Sequence, residues 1–358
     1  MAARLRVLSV DDSALMRRML GALLAADPEI EFVGAAANPV VAREMIRDLN
    51  PDVITLDVEM PYMDGVSFLR KIMALRPTPV VMVSTLTTAG ADVAVEALEI
   101  GAVDVIAKPY SAGAVAMDAF GAELRQKVKA AGQARPGRER APRRNPQRNA
   151  ARRLSERAVV AIGASTGGVE ALKTVLMELS ADCPPILIAQ HMPAGFTAAF
   201  ARRLDRECAM RVCEAADGTA IEPGLVCIAP GGLHMELARR RDKLVCALRP
   251  DEGALFFRPS VDVLFNSMAR VARADGIGVI LTGMGRDGAE GLLAMRRAGA
   301  MTVGQDERTS LIYGMPRAAF ERGAVAEQLP LDGIADAIIA ATDPGARRRA
   351  SEEKRNAG

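Results

Sequence analysis

Three residue types that can together perform nucleophilic catalysis occur in the second half of the chain. Ser165 lies in GASTG, which matches G-x-S-x-G, the strand–turn–helix pattern that exposes a serine hydroxyl. The match alone leaves three interpretations open: a nucleophile, a phosphate-binding loop residue, or a small residue in a tight turn. The dinucleotide-binding pattern G-x-G-x-x-G fails because position 165 is Ser. The P-loop pattern fails because no Gly-Lys-Ser/Thr follows.

A serine nucleophile needs a base, and the base needs a carboxylate to orient it. His191 follows the apolar run ILIAQ, whereas His234, the other of the two histidines, is more simply a structural residue. Asp287 follows GVILTG and would, taken alone, be a cap for a helix starting at Gly288. Three triad residue types, each just past an apolar run, favour a catalytic group. Their order, Ser…His…Asp, differs from the orders found in α/β-hydrolases, chymotrypsin and subtilisin.

A second set of polar residues follows apolar runs in the first third of the chain. These residues are Asp11, Asp12, Asp57, Ser84 and Lys108. Three carboxylates at one sheet edge would repel one another unless a cation joined them, and hard oxygen ligands suit Mg²⁺. One carboxylate could then attack a phosphoryl group while Mg²⁺ and Lys108 neutralise its oxygens. Taken singly, Asp12 and Asp64 are better interpreted as helix N-caps.

The elements that must position the second set form a predicted doubly wound unit over residues 1–124. Five apolar runs, RVLSV, EFVGAAA, DVITLD, PVVMVS and VDVIAK, alternate with helical patterns. This alternation predicts a five-stranded parallel sheet with helices on both faces. Functional residues of such sheets lie at the carboxyl ends of the strands.

The triad residues belong to a second predicted α/β unit over residues 156–346, with a mostly parallel sheet. RAVVAIG, PPILIAQ and GIGVILTG each precede a helical pattern. The shorter runs LVCIAP, HMELA and KLVCAL are expected to form an added hairpin region.

The segment between the two units, residues 125–155, is predicted to be a basic flexible linker. From residue 125 to 157 there are twelve Lys and Arg against two Glu, with many Pro, Gly and Asn and no apolar periodicity. A nucleic-acid-binding arm is the alternative, but no aromatic residues interleave with the arginines. Residues 347–358 are expected to be a charged C-terminal tail.

The composition also bears on metal binding, the state of the cysteines and membrane insertion. The five cysteines show no zinc-ligand spacing and are expected to be reduced core thiols. No apolar run is long enough to cross a membrane, and the N-terminus lacks a signal-peptide pattern, so we expect a cytoplasmic protein without membrane insertion.

The first unit resembles the receiver domain of two-component response regulators. The shared features are DD at 11–12, D followed by MPYMDG over 57–65, S at 84 and KP at 108–109. The resemblance implies a flavodoxin-like fold in which Asp57 is the phosphoacceptor. It also implies the following roles: Mg²⁺ binding by Asp11, Asp12 and Asp57, phosphate sensing by Ser84, and phosphate contact by Lys108. Val105 stands where many receivers carry a switch aromatic residue, so the resemblance does not extend to signalling by aromatic rotation.

The chain as a whole resembles the CheB family of chemotaxis response-regulator methylesterases. The motifs that carry this resemblance are GASTGG, QHMP, APGGLHM, FRPSVDVLF, LTGMGRDGAEG and QDERTSLIYGMP. It implies that Ser165 is the nucleophile, His191 the base and Asp287 the orienting acid. The backbone of Met284 is implied as an oxyanion-hole donor, and no cofactor is implied for the esterase domain.

The implied reaction is hydrolysis of glutamate 5-methyl esters on the cytoplasmic helices of chemoreceptors, with release of methanol. Deamidation of specific receptor glutamines is also implied, as is activation by phosphorylation from the histidine kinase CheA. In the family the unmodified receiver covers the esterase cleft.

Two alternatives belong to other functional classes. One is a phosphorylation-controlled scaffold with an inactive hydrolase fold, and the other is a DNA-binding regulator that uses the arginine-rich segment. The intact triad types argue against the first, and the lack of a recognition-helix pattern argues against the second. For Arg258, Asp262 and Tyr313, substrate contact and packing are equally open interpretations.

Overall fold

The computed structural model describes residues 3–85, 87–109, 114–134, 157–250 and 257–342. The chain divides into two compact units, residues 1–139 and 140–358. Most of the predicted linker and the whole predicted tail lie outside the described residues. Within the described residues, no helix combines the length and apolar character that a membrane span requires.

The first unit is a five-stranded parallel sheet with the strand order β2-β1-β3-β4-β5. Its strands are β1 (Leu5–Val10), β2 (Ile30–Ala36), β3 (Val53–Asp57), β4 (Val80–Ser84) and β5 (Asp104–Ala107). Its helices are α1 (Ala14–Ala25), α2 (Pro39–Leu49), α3 (Gly65–Leu75), α4 (Thr88–Ile100) and α5 (Ala114–Gln133). The predicted receiver-type fold is confirmed. The central strands β1, β3 and β4 are almost wholly buried, as their continuous apolar sequences require.

Asp12 and Asp64, taken singly, were each expected to be a helix N-cap, and only Asp64 is one. Asp64 caps α3, because its side chain accepts a hydrogen bond from the Ser67 amide at 2.7 Å. The expectation that Asp12 is a cap is wrong. Ser13 caps α1 instead, and Asp12 is left exposed at the end of β1.

Helix α5 corrects the predicted boundary at residue 124. The helix continues to Gln133, and it buries Val128 and Ala131 completely. Lys127 Nζ forms an ion pair with Asp104 Oδ1 at 2.7 Å, and Lys129 Nζ lies 2.9 Å from Asp27 Oδ2. The first basic residues assigned to the linker are therefore paired within the first unit, so the charge count mistook part of a packed helix for linker.

The second unit contains a seven-stranded parallel sheet with the order β14-β13-β12-β6-β7-β9-β8 and a separate antiparallel hairpin, β10-β11. The strands are β6 (Val159–Ala164), β7 (Ile186–Gln190), β8 (Arg211–Glu214), β9 (Leu225–Ile228), β10 (Leu233–Arg240), β11 (Lys243–Pro250), β12 (Gly276–Ile280), β13 (Met301–Gln305) and β14 (Glu327–Leu329). The helices are α6 (Gly168–Met177), α7 (Phe196–Glu207), α8 (Val261–Val271), α9 (Ala289–Arg297), α10 (Met315–Glu321) and α11 (Leu331–Thr342).

The sheet of the second unit differs from expectation in one misassigned strand and in three strands that were not predicted. The run LVCIAP supplies β9, which pairs in parallel with β7 inside the main sheet, so it does not belong to the hairpin region. Strand β9 is buried along its whole length, whereas the hairpin strands have exposed ends. Strands β8, β13 and β14 had not been predicted.

The cysteines fit the expectation of reduced core residues. All five are free, and Cys183, Cys227 and Cys246 are buried. Burial, helped by Asp182, raises the pKa of the Cys183 thiol to about 12, so it stays protonated at neutral pH.

Candidate active site and phosphoacceptor site

The carboxyl edge of the seven-stranded sheet brings the predicted nucleophile and base together. Ala164 and Gln190 are register partners at the ends of β6 and β7, so Ser165 and His191 are the next residues on adjacent strands. The His191 amide donates to the Ala164 carbonyl at 3.0 Å, and Gln190 Nε2 donates to the Ser165 carbonyl at 2.9 Å. These bonds tie the Ser165 turn to the strand end that carries His191.

The turn at Ser165 leads directly into α6. Gly167 has φ +78° and precedes the helix, a left-handed conformation that favours glycine. The Gly168 amide closes the turn on the Ser165 carbonyl at 2.7 Å. A Cβ on Gly168 would lie 2.1 Å from Gln190 Oε1, so the small residues of the motif are needed for packing as well as for the turn.

Asp287 lies in the loop after β12 and contacts the imidazole of His191. The distance from His191 Nε2 to Asp287 Oδ2 is 2.8 Å. Because the carboxylate accepts this bond, Nε2 carries the proton of the neutral imidazole, and Nδ1 holds the lone pair. Within the described part of the chain, this Nδ1 is buried and has no hydrogen-bond partner.

The N-terminus of α8 fixes the carboxylate of Asp287. Its oxygens accept bonds from Ser260 Oγ at 2.9 Å and from the amides of Val261 and Asp262 at 2.7 and 3.0 Å. Burial raises the pKa of Asp287, but the bonds from His191 and the two amides outweigh it and hold that pKa below its ordinary value. The residue therefore stays ionised at neutral pH.

Asp287 is not a cap for the helix that follows it. Gly288 precedes α9 and makes no side-chain cap, whereas the carboxylate of Asp287 binds the start of α8. The interpretation that would have applied to Asp287 alone is therefore wrong. Tertiary packing brings it to a helix that lies earlier in the chain.

The backbone around Met284 lies next to Ser165. A Cβ built on Gly283 would be 2.7 Å from Ser165 Cβ, so only glycine allows this approach. Gly283 uses both of its backbone groups, since it donates to Ile312 and accepts from Met315. Among the described residues, the Met284 amide is not recorded in a hydrogen bond to another backbone group.

Ser165 and His191 are neighbours but are not hydrogen-bonded to each other in the described residues. Both side chains are nearly buried, with 9% and 8% of each residue exposed. Hydrogen bonds of catalytic groups are often absent or long in ligand-free enzymes and form when substrate binds.

Four further residues were considered from the sequence, and three of them form hydrogen bonds within the second unit. His234 Nδ1 accepts from the Ser260 amide at 3.1 Å, as expected for a structural histidine. Asp262 Oδ1 accepts from the Gly291 amide, and the Tyr313 hydroxyl accepts from Gln328, so both take part in packing. Arg258 is exposed just before α8.

Sequence reasoning missed the role of Ser260 and Phe257. Ser260 before an apolar helical pattern is a recognisable N-cap, and its Oγ accepts from the Val263 amide. Its bond to Asp287, 27 residues away, could not have been read from the sequence. The ring of Phe257 stacks on His191, and neither residue type nor spacing signals that contact.

The first unit gathers its acidic residues at the carboxyl edge of its sheet. Ligand oxygens of Asp11, Asp12 and Asp57 all lie within 4.8 Å of one another. Lys108 Nζ lies 3.1 Å from Asp11 Oδ2 and 2.8 Å from Asp57 Oδ2. Carboxylate oxygens around an open pocket, into which Asp12 and Asp57 project, suit a hard cation such as Mg²⁺.

Burial and a neighbouring carboxylate make Asp57 a weaker acid than usual. Burial, with a smaller contribution from Asp11, raises its pKa to about 6 even though Lys108 lowers it. A bound cation would favour the ionised carboxylate. Ser84 is buried at the end of the neighbouring strand β4, and its Oγ donates to the carbonyls of Thr85 and Gly90, each at 3.3 Å.

Comparisons with known proteins agree on both units. The receiver domain of response regulators matches residues 7–117, and the CheB methylesterase family matches residues 160–338. A protein-glutamate methylesterase/protein-glutamine glutaminase of Caulobacter vibrioides is 53% identical over 94% of this chain and 98% of its own length. A protein of the same name from Pseudomonas aeruginosa is 50% identical over 93% of this chain and 95% of its own.

A solved structure adds a match in three dimensions. The crystal structure of the CheB methylesterase catalytic domain of Thermotoga maritima is 37% identical and has a TM-score of 0.50. It covers 51% of this chain and 97% of that chain. With two domains matched in order and similarity along nearly the full length, the chain belongs to the CheB family of receiver-linked methylesterases.

Proposed function

We propose that this protein is a phosphorylation-activated serine hydrolase that demethylates glutamate 5-methyl esters on chemoreceptor cytoplasmic helices and deamidates specific receptor glutamines. The single observation that carries the chemistry is the geometry of His191. Its Nε2 is held by an ionised carboxylate, and its Nδ1 is buried and has no hydrogen-bond partner among the described residues. The backbone of His191 lies on the strand end next to the turn of Ser165. Membership of the CheB family supplies the substrate class.

In the proposed reaction, Ser165 Oγ attacks the side-chain carbonyl carbon of the receptor residue, and its proton passes to His191 Nδ1. Asp287 stabilises the imidazolium that forms. The Met284 amide donates to the oxyanion of the tetrahedral intermediate. Collapse of this intermediate breaks the C–O bond of the ester, and His191 returns the proton to the departing methanol.

Hydrolysis of the acyl-enzyme uses the same groups. His191 takes a proton from water, whose oxygen attacks the acyl carbon, and then protonates Ser165 as the C–O bond to the enzyme breaks. A receptor glutamate is released. Deamidation follows the same course with ammonia as the leaving group, so one site serves both reactions.

Phosphorylation of Asp57 is the proposed activating signal, and the histidine kinase CheA the proposed donor. Asp11, Asp12 and Asp57 would hold Mg²⁺, which neutralises the phosphoryl oxygens when bound. Lys108, already paired with Asp57, would contact the phosphoryl group, and Ser84 would sense it. The charge added at Asp57 would relieve the inhibition of the esterase that the unmodified receiver exerts.

The test is methanol release from methylated receptor cytoplasmic fragments, with and without a small phosphodonor and Mg²⁺. Release should rise with phosphorylation and vanish in Ser165→Ala. Ser180→Ala is the matched control, because Ser180 precedes β7 at the opposite edge of the sheet and its hydroxyl donates to Asp182 Oδ1. Asp57→Asn should abolish activation, whereas the exposed Asp48→Asn should retain it.

Two outcomes would contradict the proposal. No release from the wild type on a substrate verified to be methylated would reject the esterase. A fragment lacking residues 1–150 that is no more active than the unphosphorylated full chain would reject inhibition by the receiver. The Thermotoga maritima catalytic domain was solved alone, which supports the use of this fragment.

A further inference from the structure

The imidazole of His191 is bounded on one face by an aromatic ring. The ring centroids of His191 and Phe257 are 4.1 Å apart, and the two planes are within 6° of parallel. Phe257 is half-buried and lies three residues before Ser260, whose side chain contacts Asp287. The short segment that leads into α8 therefore supplies both the ring on His191 and the support for its carboxylate partner.

The stack restrains a motion that the carboxylate leaves free. Asp287 holds one nitrogen of the imidazole, and a single hydrogen bond permits the ring to rock about it. A parallel ring at 4.1 Å fixes the plane of the imidazole, and so fixes the direction of the Nδ1 lone pair. A proton transfer needs that lone pair to be aimed at the hydroxyl.

The stack also discriminates between the two charge states of His191. An aromatic face attracts a cation placed over it, and the attraction grows when the pair is removed from water. A neutral imidazole gains less from the same contact. The interaction is therefore stronger once His191 holds the Ser165 proton, which is the condition for a contact to accelerate the reaction and not merely to bind.

We propose that Phe257 is a positioning residue for the methylesterase reaction, whose ring aims His191 Nδ1 and stabilises the imidazolium formed when Ser165 attacks. The inference rests on the proposed function, in which His191 is the base. It adds a fourth side chain to the three of the triad, and this side chain acts through its stack on the His191 imidazole.

The chain is well suited to a direct test, because it has only two histidines. In the full-length protein with isotope-labelled histidine, NMR resolves His191 and His234, and His191→Gln assigns them. The ring current of Phe257 should displace the His191 ring signals, and nitrogen shifts report which nitrogen carries the proton. His234, bonded to the Ser260 amide, serves as an internal control for folding.

The variants are Phe257→Leu, Phe257→Met and Phe257→Tyr, with Phe320→Leu as matched control. Phe320 lies in α10 of the same unit and is 51% exposed. Leu and Met should remove the ring-current displacement and lower kcat for methanol release by about two- to thirty-fold, with KM unchanged. Tyr keeps the ring face and should restore both readouts. The Phe320 variant should alter neither.

Several outcomes would overturn the inference. Unaltered His191 signals in Phe257→Leu would mean that the stack is absent in solution. A lost displacement with unchanged kcat would leave the ring without a catalytic effect, and a raised KM with unchanged kcat would make Phe257 a substrate contact. A wild type that shows the ring-current displacement but releases no methanol would instead contradict the proposed function, so the two failures are separable.

Discussion

At the scale of single residues, the hydrogen-bond partners of Asp287 matter most. Its carboxylate accepts one bond from His191 and three from the start of α8. The bond from His191 and those from the two amides keep it ionised. The three bonds from α8 hold it in place, and the bond to His191 selects the tautomer of that imidazole. A neutral isostere would keep the shape but lose the selection.

Asp287→Asn is therefore expected to lower kcat by about 10⁴-fold while leaving the fold intact. The amide can present an N–H group to His191 Nε2. Nε2 then accepts this hydrogen bond, so the neutral imidazole carries its proton on Nδ1. A protonated Nδ1 cannot take the Ser165 proton. Methanol-release kinetics measure the loss, and nitrogen NMR shifts of His191 report the tautomer.

Asp242→Asn, in the exposed turn between β10 and β11, is the control and should behave as wild type. A fully active Asp287→Asn variant would show that tautomer selection does not limit the reaction.

The depressed pKa of Asp287 also has a consequence for stability. Its folded-state pKa lies below the ordinary value of 3.8, so the stabilisation is complete above pH 3.8 and is lost as pH falls through the lower, folded-state pKa. Asp262 contributes with the opposite sign, because burial and Asp287 raise its pKa. Comparison of wild type with Asp287→Asn reports both effects together, because the substitution also removes the contribution of Asp287 to the pKa of Asp262.

Urea midpoints of the esterase domain measured from pH 7 down to pH 2 should differ between the two proteins above pH 3.8. The gap should close below it. A gap that is constant with pH would mean that the ionised carboxylate contributes no pH-dependent stability.

At the scale of elements, the N-terminus of α8 is built as an anion-binding end. Ser260 both caps the helix and donates to Asp287, while the amides of the first turn point at the same carboxylate. Free amides and the helix dipole favour a negative charge there. One helix end thus orients the acid of the proposed triad.

Ser260→Ala tests both roles of this side chain, as the cap of α8 and as a donor to Asp287. We expect a loss of about 1 kcal/mol in unfolding free energy from the missing cap, and a fall in kcat of about ten-fold from the missing bond to a charged group. Asn38→Ala removes a comparable cap from α2 in the other unit and should lower stability there without changing esterase kcat. If Ser260→Ala loses stability but keeps full kcat, its hydroxyl only caps the helix.

A close approach of elements also shapes the phosphoacceptor edge. The Gly65 amide donates to the Val58 carbonyl at 2.9 Å, and a Cβ on Gly65 would meet the Asp57 carbonyl oxygen at 2.0 Å. Because the obstructing atom belongs to the backbone, it cannot move aside as a side chain would. Glycine here lets α3 begin directly beneath the proposed phosphoacceptor.

At the scale of the whole molecule, each of the two units forms its own sheet. The first unit extends further along the chain than the predicted boundary at residue 124, because α5 continues to Gln133. The final turns of α5 bury Val128 and Ala131 and carry the ion pair between Lys127 and Asp104. Burial lowers the pKa of Lys127, but the charges of Asp104 and Glu123 outweigh it and raise that pKa. These turns therefore belong to the folded unit.

A fragment of residues 1–134 is expected to be more stable than one of residues 1–124 by at least about 2 kcal/mol. The shorter fragment loses the burial of Val128 and leaves Asp104 without its cationic partner. Urea unfolding measures the difference. Lys127→Met in the longer fragment separates the ion pair from the apolar contribution, and equal midpoints for the two fragments would show that the last turns add no stability.

Local pattern determined a large part of this protein. The five strands of the first unit and β6, β7 and β12 of the second follow from apolar runs, since a strand buried on both faces must be continuously apolar. Parallel strands then put Ser165, His191 and the five polar residues of the receiver at strand ends, where parallel α/β sheets carry their sites. Fold class and candidate residues were therefore predictable before any coordinates.

Only the tertiary structure decided which atoms meet. The bond of Asp287 to α8 and the stack of Phe257 on His191 each join segments that are far apart in the chain. The lack of a hydrogen-bond partner for His191 Nδ1 also depends on how those segments pack. The ion pair between Lys127 and Asp104 likewise shows that the start of the predicted linker belongs to the packed helix α5. Local periodicity records which face of an element is buried, but hydrogen-bond partners and ring contacts depend on how separate elements pack, and no short stretch of sequence contains that information.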